Sequence, residues 1–334
     1  MTDFAIWVTW EDHRRSRELA EAFGFEYFPL ESGHWRYLRY LILTAKTASL
    51  VRKKRPRLIV CQNPSVVLAA VLCFLKRPFN FCLVVDRHSN FKLQSLGSKS
   101  LKWRVFHFLS RWTIKKSDLT VVTNSYLANV VESWGGRAAV LQDRIPGLIP
   151  SNPERIPDVM AGNAGHAVTC ITTYGEDEPI GEIIAAGSQM ENVSMYLTGR
   201  YQKTEWATAK DRLSSSGVFL TGFLNEKDYV DLINKSDVVV VLTCWENLLT
   251  CGAYEGLALR KPLVLSDTEA IKSYFSFGAV YVEPEASAIQ KGIEEALRRK
   301  YDLEGEINDN MSSIKSSWKE SFEHVRRVME KYAN

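Results

Sequence analysis

No Cys-x-x-Cys pair occurs among the six cysteines of this 334-residue sequence. Cys61, Cys73, Cys82, Cys170, Cys244 and Cys251 stand in apolar runs instead. That excludes a zinc ribbon or a disulfide framework and predicts reduced core thiols in a cytosolic chain. No Gly-x-Gly-x-x-Gly follows the first apolar run, so the dinucleotide fingerprint is missing. Long hydrophobic runs are missing too. The longest, residues 66–75, is too short to cross a bilayer, and no secretory leader is expected ahead of Phe4. No Asp-x-Asp type pair sits at a strand end to call for a metal. Internal repeats and low-complexity segments are likewise absent.

What is present is an ordinary globular composition, 46% hydrophobic and 24% charged, in a length that favours two domains over one. The charge is unevenly placed. Residues 1–150 hold 23 Lys and Arg against 11 Asp and Glu, a net of +12; the remainder holds 19 against 28, a net of −9. A basic half suits an anionic partner: a phosphorylated substrate, an acidic lipid surface or nucleic acid. Nucleic acid is the weakest of these, because the basic residues form no recognisable motif.

The most specific stretch spans residues 238–267. Residues 238–242 form an apolar β-branched run, short enough for a strand buried on both faces. A polar break at 243–249 carries Trp245, Glu246 and Asn247. Helical spacing starts near Thr250 and stops at Arg260-Lys261-Pro262, and 263–266 is the next strand. The unit is βαβ, with its loop at the carboxyl end of a strand, where open α/β sheets bind ligands. The helix start, Leu249 to Gly252 with Thr250, presents unpaired N–H groups suited to a phosphate. Gly252 offers no side chain to block a close approach. Glu255, one turn further in, is placed to accept hydrogen bonds from a ribose diol. The plainer alternative is a surface glutamate paired with Arg260 or Lys261.

The first half opens with a strand at 4–9 that feeds a helix ending at Phe23. His13, Arg14 and Arg15 lie between them, either as an anion site or as solvated helix-start residues. A helix at 35–52 precedes the basic run Arg52-Lys53-Lys54-Arg55. A strand at 58–61 leads into a turn and cap at Gln62-Asn63-Pro64-Ser65, then a buried helix at 66–75. A strand at 81–86 ends in Asp86-Arg87-His88-Ser89-Asn90. His88 there is either an acid–base group or a structural hydrogen bonder. The helix at 101–116 interleaves Trp103, Phe106, Phe108 and Trp112 with five basic residues. It reads as a membrane-interface helix or as a core helix with solvated cations. Strands at 119–123 and 138–141 flank a helix at 125–134. Gln142-Asp143-Arg144-Ile145-Pro146 follows, and residues 146–165, with four prolines and three glycines, read as linker.

In the second half, a strand at 167–172 leads through Thr173-Tyr174-Gly175-Glu176-Asp177-Glu178-Pro179 into a helix at 180–189. Strands follow at 193–197, ending in Thr198-Gly199-Arg200, and at 218–220. Helices are expected at 226–235, 286–300 and 312–332, and a strand at 279–282.

These residues resemble the carboxyl-terminal domain of GT-B glycosyltransferases, family 4 in particular. That family carries two glutamates eight positions apart, the second opening a helix that ends in Gly-Lys-Pro before a strand. Glu255-Gly256-Leu257-Ala258-Leu259-Arg260-Lys261-Pro262 is similar to the second half of that signature. The Thr198-Gly199 loop and the closing helix around Trp318 are similar too. The likeness covers residues 167–334, and more faintly 1–150, where His88 falls at a position often held by a donor-facing histidine. It implies an α/β GT-B fold: two Rossmann-like doubly wound domains across a cleft, with a final helix crossing back to the first. The expected division is 1–150, a linker at 151–165, 166–311 and a helix at 312–334. The departures are concrete. Glu246 precedes Glu255 by nine positions, so Asn247 holds the place of the first glutamate. The usual Arg and Lys that grip the diphosphate are replaced by the acidic loop 173–179, and the amino-terminal glycine-rich loop is missing.

The resemblance implies metal-independent transfer of a sugar, with retention, from a nucleotide diphosphate sugar to a glycan or lipid-linked acceptor. No separate cofactor is implied. Glu255 would hold the ribose and Glu246 or Asn247 the sugar hydroxyls. The start of the second-half helix, with Arg200, Arg144 or the Arg14–Arg15 pair, would take the phosphate charge. Thr173, Tyr174 and Gly199 would line the donor site. His88 would contact sugar or acceptor, and His13, Arg14, Arg15 and Asp86 would lie on the acceptor side. A cytoplasmic protein, peripheral at an acidic membrane face through its first domain, fits the charge. A nucleotide-sugar epimerase and a non-catalytic nucleotide-sugar- or glycan-binding protein are the rival readings.

Overall fold

The computed structural model describes residues 5–63, 66–152, 155–162 and 165–333. Phe4 of the first expected strand, the Pro64–Ser65 turn and positions 153, 154, 163 and 164 of the expected linker lie outside the described residues. The chain forms two compact units, Met1–Arg144 with Ser316–Asn334, and Ile145–Lys315.

The first unit alternates strand and helix: β1 (Ala5–Thr9), α1 (Arg14–Phe23), β2 (Glu26–Pro29), α2 (Arg36–Lys54), β3 (Leu58–Asn63), α3 (Val66–Phe79), β4 (Cys82–Arg87), α4 (Leu101–Lys116), β5 (Leu119–Val122), α5 (Ser125–Ser133) and β6 (Ala138–Val140). The six strands are parallel in the order β2-β1-β3-β4-β5-β6. β1 and β4 are buried along their whole length, as their apolar runs require once helices cover both faces. β2 has no counterpart in the sequence reading. Its residues Glu-Tyr-Phe-Pro are partly exposed and lack an apolar run, and pairing with β1 at the sheet edge makes them a strand.

The second unit contains β7 (His166–Cys170), α6 (Ile180–Gly187), β8 (Val193–Thr198), α7 (Lys210–Ser214), β9 (Val218–Gly222), α8 (Glu226–Lys235), β10 (Val238–Val241), α9 (Cys251–Ala258), β11 (Leu263–Ser266), α10 (Glu269–Tyr274), β12 (Ala279–Val282) and α11 (Ala286–Arg298). Its parallel sheet runs β12-β11-β10-β7-β8-β9. Chain winding reverses between β7 and β10, as in dinucleotide-binding sheets, and between β1 and β3 in the first unit.

Two boundaries differ from expectation. The first unit ends at Arg144, not at 150, because Ile145 and Leu148 pack into a core of the second unit. The closing helix α12 (Lys300–Ala333) begins well before 312. Gly305 and the Asn308-Asp309-Asn310 run conceal its start, since these residues have low helix propensity. Leu303, Ile307, Met311 and Ile314 nonetheless bury into second-unit cores, while Phe322, Val325 and Met329 bury in the first. The cysteines also divide: Cys61, Cys82 and Cys170 are buried, but Cys244 and Cys251 are exposed, and all six are free thiols. No described helix is long and apolar enough to cross a membrane.

Candidate functional site

The loops leaving β7 and β10 meet at the winding reversal of the second unit, the place where open α/β sheets bind ligands. Hydrogen bonds join them. Thr243 Oγ1 donates to Asp177 Oδ2 at 2.9 Å and Cys244 N to Asp177 O at 2.6 Å, while Thr243 N donates to Ser266 Oγ at 2.8 Å. At the end of β8, Gly199 has φ 97°, and a Cβ there would lie 2.3 Å from Thr172 O. Only glycine tolerates both conditions.

Thr250 takes the N-cap position of α9, but its hydroxyl makes no capping bond and is buried without a partner. Leu249 is buried in the core beneath the helix. The expectation that Gly252 leaves room for a ligand is corrected. A Cβ there would meet Ile171 Cγ2 at 2.9 Å and Val241 Cγ1 at 3.1 Å, so the glycine lets α9 lie close on the sheet. Glu255 is half-buried, and its Oε2 accepts from Tyr229 Oη of α8. Glu246 is exposed and accepts from Glu269 N at 2.7 Å, closing the start of α10; half-buried Asn247 is its neighbour on the loop. Arg200 is exposed beyond β8, its guanidinium 4.6 Å from the centre of the Phe223 ring. Thr173 and Tyr174 lie on the loop after β7. Tyr174 has φ 59°, and burial raises its hydroxyl pKa. Thr173 N, Thr173 Oγ1 and Gly175 N all donate to Glu178.

The first unit gathers a second set of expected residues. Arg15 is 5% exposed and donates to Asp86 Oδ1 at 2.9 Å, to Leu141 O at 2.9 Å and to Asp143. Burial disfavours its charge, but Asp86 and Asp143 outweigh that and raise its pKa. Arg15 is therefore an internal ion-pair partner, which corrects the expectation that it meets a phosphate or an acceptor. Burial likewise penalises the Asp86 carboxylate, yet Arg15 and the His88 hydrogen bond hold it well below the usual range. His88 Nδ1 lies 3.3 Å from Asp86 Oδ2, so a proton carried on Nδ1 is donated to that carboxylate. His13 stacks on His88 with ring centres 4.8 Å apart. Burial first, then His88, lowers the His13 pKa to about 4, so its ring is neutral near pH 7. Arg14 is half-buried at the first position of α1. Arg144 is exposed and stacks over Trp318, with 5.7 Å to the ring centre.

Sequence reasoning missed Asp177, Tyr229 and Ser266 as site residues. Asp177 lay in the flagged acidic loop, but its partner Thr243 is far away in sequence. Tyr229 and Ser266 carried no signal, because only sheet order brings α8 and β11 against α9 and the β10 loop.

Residues 182–314 match the family model described as Glycosyl transferases group 1. The chain resembles the structure of sucrose-phosphate synthase from Thermosynechococcus elongatus, with TM-score 0.76 and 14% identity, covering 98% of both chains. It also resembles Anabaena HepE in complex with UDP and glucose, with TM-score 0.75 and 13% identity, over 98% of this chain and 100% of the other. A glycosyltransferase from Rickettsia africae matches with TM-score 0.69 and 9% identity, over 98% of both chains. A comparison with curated protein sequences finds no match. The fold is GT-B, with two parallel six-stranded sheets flanked by helices.

Proposed function

We propose that this chain transfers a sugar from a nucleotide diphosphate sugar to an acceptor hydroxyl, with retention at the anomeric carbon and without a metal. One observation carries the reading: Glu255 stands one turn into α9, half-buried, at the β7/β10 winding reversal. A carboxylate there accepts hydrogen bonds from a ribose diol. Tyr229 Oη donates to Glu255 Oε2, which orients the carboxylate on α9. The matched family segment and the UDP in the HepE complex support a uridine nucleotide as the first ligand to test. Negative charge grows on the departing diphosphate as the glycosidic bond breaks. The start of α9 and the exposed guanidinium of Arg200 are the groups that take it up. Glu246 or Asn247, neighbours on the loop after β10, is the sugar-hydroxyl partner. In the first unit, Asp86 orients His88 so that Nε2 can accept a proton from a hydroxyl.

A glycan or lipid-linked acceptor and an acidic membrane surface fit the first unit. The buried side of α4 holds His107, Ser110 and Thr113 with Ile114, because buried Arg87 bonds to Ser110 Oγ at 2.6 Å and Thr113 Oγ1 at 2.9 Å. Its apolar Leu101, Val105 and Phe108 consequently face outward beside Lys102 and Arg104.

The test is calorimetric titration with UDP and UDP-sugars in the presence of a chelator. Glu255→Ala should weaken UDP binding by about 1–3 kcal/mol, the scale of a charged hydrogen bond. Equal affinity in wild type and variant would remove Glu255 from the donor site.

A further inference from the structure

The loop after β7 aims three donors at one anion, and that anion belongs to the chain itself. Thr173 N lies 2.9 and 3.0 Å from the two carboxylate oxygens of Glu178, Thr173 Oγ1 lies 3.0 Å away and Gly175 N 3.0 Å. Tyr174 between them has φ 59°, the left-handed residue that turns neighbouring N–H groups toward a common point. Such concavities bind phosphates in other sites. A carboxylate serving only α6 would accept from the first amides of that helix. Glu178 instead reaches back to the strand end, at the winding reversal where open α/β sheets hold ligands.

We propose that Glu178 is a built-in occupant of the donor's phosphate cradle, so that a diphosphate binds only after the Glu178 side chain has left Thr173 and Gly175. This rests on the nucleotide-sugar reading given above. It also accounts for the acidic loop where a diphosphate-gripping Arg and Lys would be expected. The released side chain has somewhere to go: Glu178 lines a cavity of about 540 Å³ with Tyr174, Gly175, Glu182, Glu205 and Trp206. Its ionised form is held under opposition. Burial raises the carboxyl pKa, and nearby Asp177 pushes the same way against the amide bonds.

The experiment titrates inorganic pyrophosphate and UDP separately into wild type, Glu178→Gln and Glu178→Asp. The glutamine removes the charge; the aspartate keeps it but draws it back by one methylene. Both variants should bind pyrophosphate and UDP roughly fivefold to tenfold more tightly, the gain from removing a competing bound state. Unchanged or weaker binding of both ligands by folded variants overturns the proposal, and UDP binding by wild type would then leave the transferase reading standing. Tighter pyrophosphate binding with no nucleotide bound by any form upholds the cradle and overturns the nucleotide reading. In the wild type alone, the amide resonances of Thr173 and Gly175 should shift as pyrophosphate is added. Static resonances while pyrophosphate binds would also overturn the proposal.

Discussion

Arg15 and Arg14 are adjacent in sequence, yet only Arg15 is buried between two carboxylates. Local sequence could not separate them, because Asp86 and Asp143 arrive from β4 and from beyond β6. The same network governs pH response. The Asp86 carboxyl has a folded pKa below its ordinary value, so its contribution is fully present above about pH 4 and is lost as pH falls through the lower folded value. Asp86→Asn should therefore destabilise the protein by about 3 kcal/mol at pH 7, the cost of breaking a buried ion pair. It should also flatten the loss of stability below pH 4. Urea unfolding across that range checks both, and an acid limb as steep as wild type would assign the effect to other groups.

Among elements, α9 shows how helix position depends on one residue. The Val238-Val239-Val240-Val241 run and the Arg260-Lys261-Pro262 stop made the βαβ unit legible from sequence. The reason for Gly252 was not legible, since it lies in contacts with Ile171 and Val241. Gly252→Ala should cost about 1–3 kcal/mol through overpacking. By moving the start of α9 away from the sheet, it should also weaken UDP binding. Thermal unfolding and titration of the same variant test the two effects, and a melting temperature equal to wild type would refute the packing role. β2 and the first turns of α12 were hidden for a related reason: their residues favour no element locally, and pairing or burial decides them.

Across the whole molecule, the net of +12 over residues 1–150 and −9 over the rest sets long-range behaviour. The basic part also exposes aromatic residues, with Trp35, Tyr37 and Phe108 each 67% exposed. Basic residues near an anionic leaflet contribute about 1 kcal/mol each, and salt screens them. Co-sedimentation with phosphatidylserine vesicles should be strong at low salt and fall steeply at high salt. Phe108→Ser should weaken it without altering UDP affinity. Binding indifferent to salt and lipid charge would remove the membrane surface as a partner.

The sequence by itself determined the doubly wound α/β class, most strands, the charge division and the position of Glu255 after a buried strand. Each follows from local pattern, whether β-branched runs, helical spacing or residue counts. Tertiary structure alone decided that Arg15 is an internal counterion, that Glu246 closes α10 and that Glu178 fills its own loop's N–H groups. Those roles depend on which charges and amides meet after folding, and sheet order brings together residues that no spacing along the chain relates.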